Sequence, residues 1–175
     1  GVAEQGFGVS QLLTTLVNEL PDTLSAAHRH QVGDKAAPIA QVLKTFISPQ
    51  GGRLSLVRVW QGILSDGMTL NGVRVSGLYR MFGQTQSSLG QAEAGDIVAL
   101  GRMEGIQTGD TLSVGNTVSL PRAERISPVF SLAIKPQNRK DEVKLTTALN
   151  KLLEEDPSLS WEHRESTHEI VLWGQ

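Results

Sequence analysis

The chain has 175 residues, a hydrophobic fraction of 39%, a charged fraction of 19% and a formal net charge of −2. This composition is that of an ordinary globular protein, so it excludes an intrinsically disordered chain, and the length suits one large domain or two small ones. The small net charge excludes a general polyanion-binding field, and the absence of cysteine excludes disulfides and thiolate metal sites.

Two further sequence features bear on where the protein works. The chain has no apolar run of the roughly 18 residues that a membrane helix needs, and no leader of the charged-then-apolar type. We therefore expect no membrane partner, and the lack of cysteine fits a cytoplasmic location. Because the chain starts at Gly1 instead of methionine, we expect it to be a piece of a longer protein.

A short amphipathic helix is predicted over residues 9–20, with Ser10 as its N-cap and Pro21 as its terminator. Five apolar side chains recur there at helical spacing, namely Leu12, Leu13, Leu16, Val17 and Leu20. A helix of this length is marginal alone and needs a surface to cover. Residues 22–37 show little apolar periodicity, and we expect them to form a linker.

From Pro38 the hydrophobic period changes to two, which is typical of β-strands. The predicted strands cover residues 39–47, 53–64, 67–82, 95–103 and 110–120. Glycine-containing turns divide them at residues 48–52, 64–67, 83–90 and 104–109, and the Asp66–Gly67 pair predicts a tight hairpin. Many short strands without a long helix predict a small, closed, antiparallel β barrel over residues 38–120.

The barrel segment holds six Lys or Arg residues against five acids. Its arginines are Arg53, Arg58, Arg74, Arg80 and Arg102. Arginine forks bind phosphate through two parallel hydrogen bonds, so a local RNA contact is one interpretation. The other is that each arginine is the solvated end of a strand, and the two interpretations stay open for each arginine taken singly.

The pattern changes again after a proline-bounded connector at residues 119–128. A strand is predicted at 129–136, a helix begins near a capping box of Asn138 and Asp141, and Pro157 ends that helix. The stripe expected to be buried is Leu145, Ala148, Leu149, Leu152 and Leu153. Two antiparallel strands follow, joined near Glu165 to Thr167.

The order strand, helix, strand, strand over residues 121–175 is the first part of a ferredoxin-like, split βαβ unit. A second helix and a last strand would complete such a unit. We therefore expect an exposed sheet edge in this part of the chain, at which a second copy of the chain can pair. The fold class predicted for the whole chain is mainly β followed by α+β.

The chemistry of nucleotide binding is missing from the sequence. No GxxxxGK[ST] loop occurs, and the chain contains no Gly-Lys pair at all. The run Asn138 to Asp141 has a superficial likeness to a guanine-reading Asn-Lys-x-Asp, but its lysine is displaced by one position, which favours helix capping. We therefore expect no catalytic residue and no bound cofactor in this chain.

The four histidines also give no sign of a metal site. His28, His30, His163 and His168 lack a matching carboxylate spacing, so they are more typical of surface residues than of ligands. Three consecutive acids, Glu154, Glu155 and Asp156, end the predicted helix. Negative charge at a helix C-terminus opposes the macrodipole, and we therefore expect a basic partner or a special turn there.

Three motifs, in this order, resemble the elongation factor G family of translational GTPases. They are LSLVRVWQG at 54–62, AGDIVAL with TGDTL at 94–112, and ALNKLLEEDPS at 148–158. The matching barrel residues are Arg58, Gly62, Gly95, Asp96, Gly109 and Asp110. The matching residues after the connector are Pro136, Asp141, Lys144, Ala148, Leu149, Leu152, Glu155, Asp156, Pro157 and Ser158. A terminal segment with Glu165, Thr167, Glu169, Ile170 and Gly174 is similar as well.

The resemblance implies a division into three parts. Residues 1–37 are expected to be the terminal helix of a G domain with its linker, residues 38–120 the barrel domain II, and residues 121–175 a partial ferredoxin-like domain III. The parent protein is then a GTPase that binds GTP and Mg²⁺ in the preceding domain. The implied partners are ribosomal RNA and proteins of the small subunit, together with the G domain and C-terminal domains of the same protein.

The resemblance also suggests contact residues. Arg53, Arg58 and Arg80 are predicted to face RNA or a neighbouring domain, although Arg58 can equally pair with an acid such as Asp96 or Asp110. Gly62, Gly95 and Gly109 are most simply turn residues that need unusual backbone angles.

The leading functional hypothesis is a ribosome-binding, signal-relaying fragment of an elongation factor that acts in translocation or ribosome recycling. Departures from the family pattern at Gln84 to Gln91, Trp60 and Trp173 favour a paralogue at least as much as the principal translocase. One alternative is a fragment of a ribosomal protection or stress GTPase. Others are a free-standing barrel that binds RNA or protein, and an enzyme whose site the sequence does not reveal.

Overall fold

The computed structural model describes residues 1–32, 37–48, 52–83, 85–116, 118–124, 126–164, 167 and 169–174, without the side chains of Asn116 and Arg139. Within them the chain forms a β barrel preceded by two helices and followed by a three-stranded sheet with one long helix. The predicted fold class is therefore confirmed. No helix in these ranges combines the length and the hydrophobicity required to cross a membrane.

The amino-terminal helix α1 spans Val9–Glu19, as the apolar spacing predicts. Gly8 precedes it with φ of 82°, so the predicted N-cap Ser10 lies inside the first turn. None of the residues of α1 is buried, and its apolar stripe faces outward.

The prediction of a linker after Pro21 is wrong for residues 23–29. They form a second helix, α2 (Thr23–Arg29), which begins where the Asp22 carboxylate accepts a hydrogen bond of 2.7 Å from the Ser25 N–H. One side chain, Ala27, is fully buried against the barrel and fixes the helix there. A single small apolar contact face leaves almost no periodic signal in the sequence. Residues 33–36 of the expected linker lie outside the described residues.

Ten strands make up the described part of the barrel region. They are β1 (Ile39–Ile47), β2 (Arg53–Gln61), β3 (Ile63–Ser65), β4 (Thr69–Leu70), β5 (Val73–Arg74), β6 (Leu78–Phe82), β7 (Thr85–Ser88), β8 (Gln91–Glu93), β9 (Ile97–Gly101) and β10 (Thr111–Ser113). Six pair antiparallel in the order β10-β1-β2-β9-β6-β7, while β3 pairs with β8 and β4 with β5.

The structure divides two of the predicted strands and adds one. The segment 53–64 is interrupted at Gly62, where φ is 67°. The segment 67–82 folds back at Asn71 and Gly72, whose φ values of 50° and 78° suit a two-residue hairpin of the Asn-Gly type. The tight hairpin expected at Asp66–Gly67 is therefore wrong, because β3 and β4 on either side pair with other strands. The turn predicted at 83–90 contains strand β7.

The core of the barrel is aliphatic. Six of its largest side chains are fully buried, namely Leu64, Leu70, Leu78, Leu100, Met103 and Leu112. A second buried cluster lies under α2 and consists of Ala27, Val32, Ile39, Trp60 and Leu120. This second cluster holds the amino-terminal segment and the exit of the barrel together on one side of the molecule.

The second domain has the predicted element order. Strand β11 (Phe130–Ile134) is followed by α3 (Glu142–Glu155), β12 (Ser160–Arg164) and β13 (Glu169–Gly174), and the antiparallel sheet has the order β11-β13-β12. Of the stripe predicted on α3, only Leu149 is buried, and Ala148 and Leu152 are exposed. The apolar side chains of β11 are largely exposed as well.

The predicted capping box at the start of α3 is wrong. A 3₁₀ turn over Arg139–Asp141 precedes the helix, and Asp141 makes no side-chain cap. The Asp141 N–H donates to the Asn138 carbonyl, and the Asp141 carboxylate binds Lys144 Nζ at 3.0 Å. An aspartate is one methylene shorter than the glutamate of the usual motif, so it pairs with the next turn instead.

Candidate functional site

The last turn of α3 meets the β1–β2 end of the barrel, and this seam concentrates charged contacts. Arg53 lies at the start of β2 and its side chain is only 11% exposed. Its Nη1 binds Glu154 Oε2 of α3 at 2.9 Å, and its Nη2 donates to the carbonyl oxygen of Ile106 in the barrel. Arg53 therefore joins the second domain to the barrel.

The neighbouring glutamate makes a second link across the seam. Glu155 Oε1 accepts a hydrogen bond of 2.6 Å from the backbone N–H of Ile47, the last residue of β1. The carboxylates that oppose the helix macrodipole thus receive a guanidinium and a strand-end N–H in compensation. This confirms the expectation of a basic partner for the acidic helix end.

The third acid, Asp156, shapes the turn that follows α3. Its Oδ1 accepts hydrogen bonds from the hydroxyl of Ser158 at 2.7 Å and from the Ser158 N–H at 2.9 Å. The Ser158 hydroxyl first, and then the Ser158 N–H, hold the pKa of the Asp156 carboxyl below its usual value. The special turn expected beside Pro157 is therefore confirmed too.

The stability given by this turn should depend on pH. A carboxyl whose pKa is lowered by folding contributes stability above its unfolded pKa of about 3.9, and that contribution is lost as the pH falls through the folded pKa. We expect Asp156→Ala to lower the melting temperature at pH 6, with a difference from wild type that shrinks as the pH falls below about 4. Thermal unfolding followed by circular dichroism measures both proteins. A difference in melting temperature between Asp156→Ala and wild type that does not change with pH would contradict the stabilising role assigned to the Asp156 carboxylate. Glu162→Ala is the control variant for this comparison.

A cleft of about 470 Å³ opens beside the Arg53–Glu154 pair. Its barrel wall is polar or backbone, from Glu104, Gly105, Gln107 and Thr108. Its other wall carries apolar side chains of the second domain, Leu153, Pro157 and Leu159. Within the described ranges, no three His, Asp or Glu residues come together in a way that suits a metal ion.

Arg58 does not form the ion pair considered for it. Its guanidinium carbon lies 4.2 Å from the ring centroid of Trp60, a cation–π arrangement. Asp96 instead lies 3.6 Å from Arg80 Nη2, and Asp110 binds Arg122. His30, just beyond α2, meets the same Trp60 ring edge-on at 4.9 Å between centroids. Arg58 thus lies beside the contact between the barrel and the segment at the end of α2.

The two Gly-Asp motifs form equivalent turns. Gly95 N–H donates to the Val59 carbonyl and Val59 N–H donates to the Asp96 carbonyl, at 2.8 and 2.9 Å. Gly109 and Asp110 make the same pair of bonds with Val42, again at 2.8 and 2.9 Å. The carboxylates of the two aspartates then accept from the N–H three residues earlier. Both glycines have positive φ, 99° and 88°, which explains the residue type.

The sequence-predicted contact residues lie in different places. Arg53 is enclosed in the seam, Arg58 stacks on Trp60, and Arg80 is an exposed side chain on β6. The sequence prediction missed Trp60 and Glu154 as contact residues. The signal for Glu154 was its unfavourable place at a helix end, whereas a single tryptophan in a strand gives no such signal.

Two family models match the chain in succession. Residues 38–115 match the model described as elongation factor G domain 2, and residues 127–175 match elongation factor G, domain III. Among solved structures, the crystal structure of a protein from Thermus thermophilus aligns with a TM-score of 0.78 and 34% identity, covering 95% of this chain and 26% of that one.

Curated relatives cover nearly the whole chain. An elongation factor G-like protein of Synechocystis sp. is 54% identical over 100% of this chain. Elongation factor G of Fervidobacterium nodosum is 35% identical over 99% of it. The chain spans only 26% and 28% of the length of these two relatives.

Proposed function

Since the chain belongs to the elongation factor G family and contains its domains II and III, we propose that it is the ribosome-binding, signal-relaying part of a GTP-dependent elongation factor. In this proposal the parent protein binds GTP and Mg²⁺ in another domain and hydrolyses the nucleotide there. The barrel contacts small-subunit ribosomal RNA and proteins, and the second domain follows the movements of its neighbours.

The observation that supports this proposal is the succession of the two family domains in one chain that links them through charged contacts. A relay needs neighbouring bodies whose positions depend on one another. Arg53 of the barrel bonds Glu154 of the second domain, and Glu155 of the second domain accepts a hydrogen bond from the Ile47 N–H at the end of β1. These direct bonds make the position of each domain depend on that of the other. Helix α2 adds a second coupling, since Ala27 packs in one buried cluster with Trp60 of the barrel.

Arg80 is our proposed RNA-facing residue on the barrel. Its side chain is 59% exposed, and its ion pair with Asp96, at 3.6 Å, is long and solvated, so it can exchange partners with a phosphate. Arg53 and Arg58 are instead proposed as contacts between domains, since both are engaged inside the protein.

A second candidate is a paralogue that acts in recycling or in another ribosomal step. It is favoured by the identity of 54% to an elongation factor G-like protein, against 35% to a protein called elongation factor G. Both candidates share the ribosome as the proposed partner, so one binding experiment tests their common part.

We expect the 175-residue chain to co-sediment with ribosomes at low salt and to be released as the salt concentration rises. Arg80→Ala should weaken binding and lower the slope of log affinity against log salt by about one counterion, since one phosphate contact is lost. Arg74→Ala, an exposed arginine on β5, is the matched control and should keep the wild-type slope. Failure of the wild-type chain to bind at low salt would contradict the proposal.

A further inference from the structure

The buried apolar clusters of the described residues do not extend across the seam between the barrel and the second domain. Both contain only residues up to Leu120. The side chains that face each other across the 470 Å³ cleft are apolar on one side and polar on the other, so they do not seal it. Domain contacts without a shared apolar core are the ones expected to permit relative motion.

Among the described residues, Lys44 on β1 acts electrostatically on Asp156 across the seam, and two polar bonds cross it at the end of α3. These two bonds are the Arg53–Glu154 ion pair and the hydrogen bond from Ile47 N–H to Glu155, which together we term the polar latch. The connector that runs from the barrel to β11 adds little restraint. Its first part is held to the barrel by buried Leu120 and by the Arg122–Asp110 pair, but the described residues after it, Ala123, Glu124, Ile126, Ser127 and Pro128, are all exposed.

Opening the latch removes the counter-charge of Arg53, whose side chain is only 11% exposed and whose Nε has no hydrogen-bond partner among the described residues. When Glu154 leaves, Arg53 keeps its hydrogen bond to the Ile106 carbonyl. Glu154 is already 42% exposed, so its carboxylate is readily hydrated. Against this, the open state returns two carboxylates to a helix C-terminus without their compensating partners, which is unfavourable. The closed state is therefore favoured by electrostatic contacts at the end of α3.

We propose that the orientation of the second domain relative to the barrel is set by this polar latch, which opens and closes as a two-state device. The proposal concerns motion within the chain and does not depend on whether the chain binds ribosomes. A negative result for the latch and a negative result for the proposed function can therefore be told apart. Because electrostatic contacts hold the closed state, ionic strength and substitution of the two glutamates should both shift the equilibrium.

The test is a distance measurement between one site in each domain. The chain has no cysteine, so Thr69→Cys on β4 and Lys151→Cys on α3, both exposed, give two unique positions for spin labels. Double electron–electron resonance then reports the distribution of distances. In the labelled chain without further substitutions, we expect one narrow distance distribution at about 50 mM salt and a broader or shifted one at about 1 M.

Glu154→Ala with Glu155→Ala should produce the broad or shifted distribution at low salt. The double variant removes charges that oppose the helix dipole, so α3 should stay folded, as far-UV circular dichroism will check. Glu162→Ala, which breaks the Glu162–Arg164 pair of 2.9 Å inside β12, is the matched control and should leave the distribution unchanged.

A double variant with native circular dichroism and an unchanged narrow distribution would overturn the proposal, because packing would then hold the seam. The proposal would also be overturned by a broad distance distribution in the labelled chain that neither salt nor the double substitution alters. If the double variant unfolds, the salt series on the labelled chain alone decides the question. A distance distribution that stays narrow at high salt would then contradict the latch.

Discussion

Leu64→Ala is expected to lower the free energy of unfolding by about 2–5 kcal/mol. Leu64 lies on β3 with no exposed surface, in the middle of the aliphatic core of the barrel. The substitution removes three buried carbon atoms from the side chain. It leaves a cavity that the surrounding core fills only partly. Urea unfolding at constant temperature, followed by circular dichroism, measures the change.

Its neighbour Ile63 provides the control, since it belongs to the same strand but is 46% exposed. Ile63→Ala should cost much less, because much of its surface is in water in the folded protein as well. Equal losses for the two variants would mean that β3 does not face the barrel interior as described.

Gly95→Ala is expected to destabilise the protein and to detach α2 from the barrel. With φ of 99°, the backbone lies in a region that costs an L-residue about 1–2 kcal/mol. An added Cβ would also lie 2.7 Å from Thr23 Oγ1 and 3.2 Å from Thr23 Cγ2, at the first residue of α2. Hydrogen exchange of the α2 amides should therefore accelerate, together with a loss of stability in urea.

Gly90→Ala is the control for this glycine. Apart from its chain neighbours, no heavy atom of the described residues lies within 4 Å of the added Cβ at Gly90, and the φ of Gly90 lies outside the left-handed region. It should leave the α2 amides as protected as in wild type. Unchanged exchange in Gly95→Ala would show that Thr23 does not pack on the Gly95 turn.

The sequence alone was a good guide to the elements whose patterns are strong. Period-two hydrophobicity predicted β1, β9 and the sheet of the second domain, and the apolar spacing predicted α1 and α3. It failed where a local choice depends on distant residues. The Asp-Gly and Asn-Gly pairs at 66–67 and 71–72 are both good turn sequences, and only the pairing of β3 with β8 decides which one closes a hairpin.

The candidate site shows the same division. An acidic helix end with no local partner indicated that something must compensate it, and the structure supplies Arg53 and the Ile47 N–H. The identity of that partner was not predictable, because Arg53 is 101 residues away from Glu154 in sequence and its guanidinium resembles any other strand-end arginine. For Arg58 the sequence offered two acidic partners, but Asp96 pairs with Arg80 and Asp110 pairs with Arg122 instead.

The pairing of β10 with β1 joins the two ends of the barrel sequence, with Ser113 opposite Ile39. Until Thr111–Ser113 has been synthesised, β1 lacks its outer neighbour and the sheet cannot be completed. Pairings between distant residues carry a large loop-closure entropy and slow the folding reaction. The β12–β13 hairpin of the second domain joins nearer residues than this pairing does. We therefore expect the barrel to close late in folding, after Thr111–Ser113 has been synthesised.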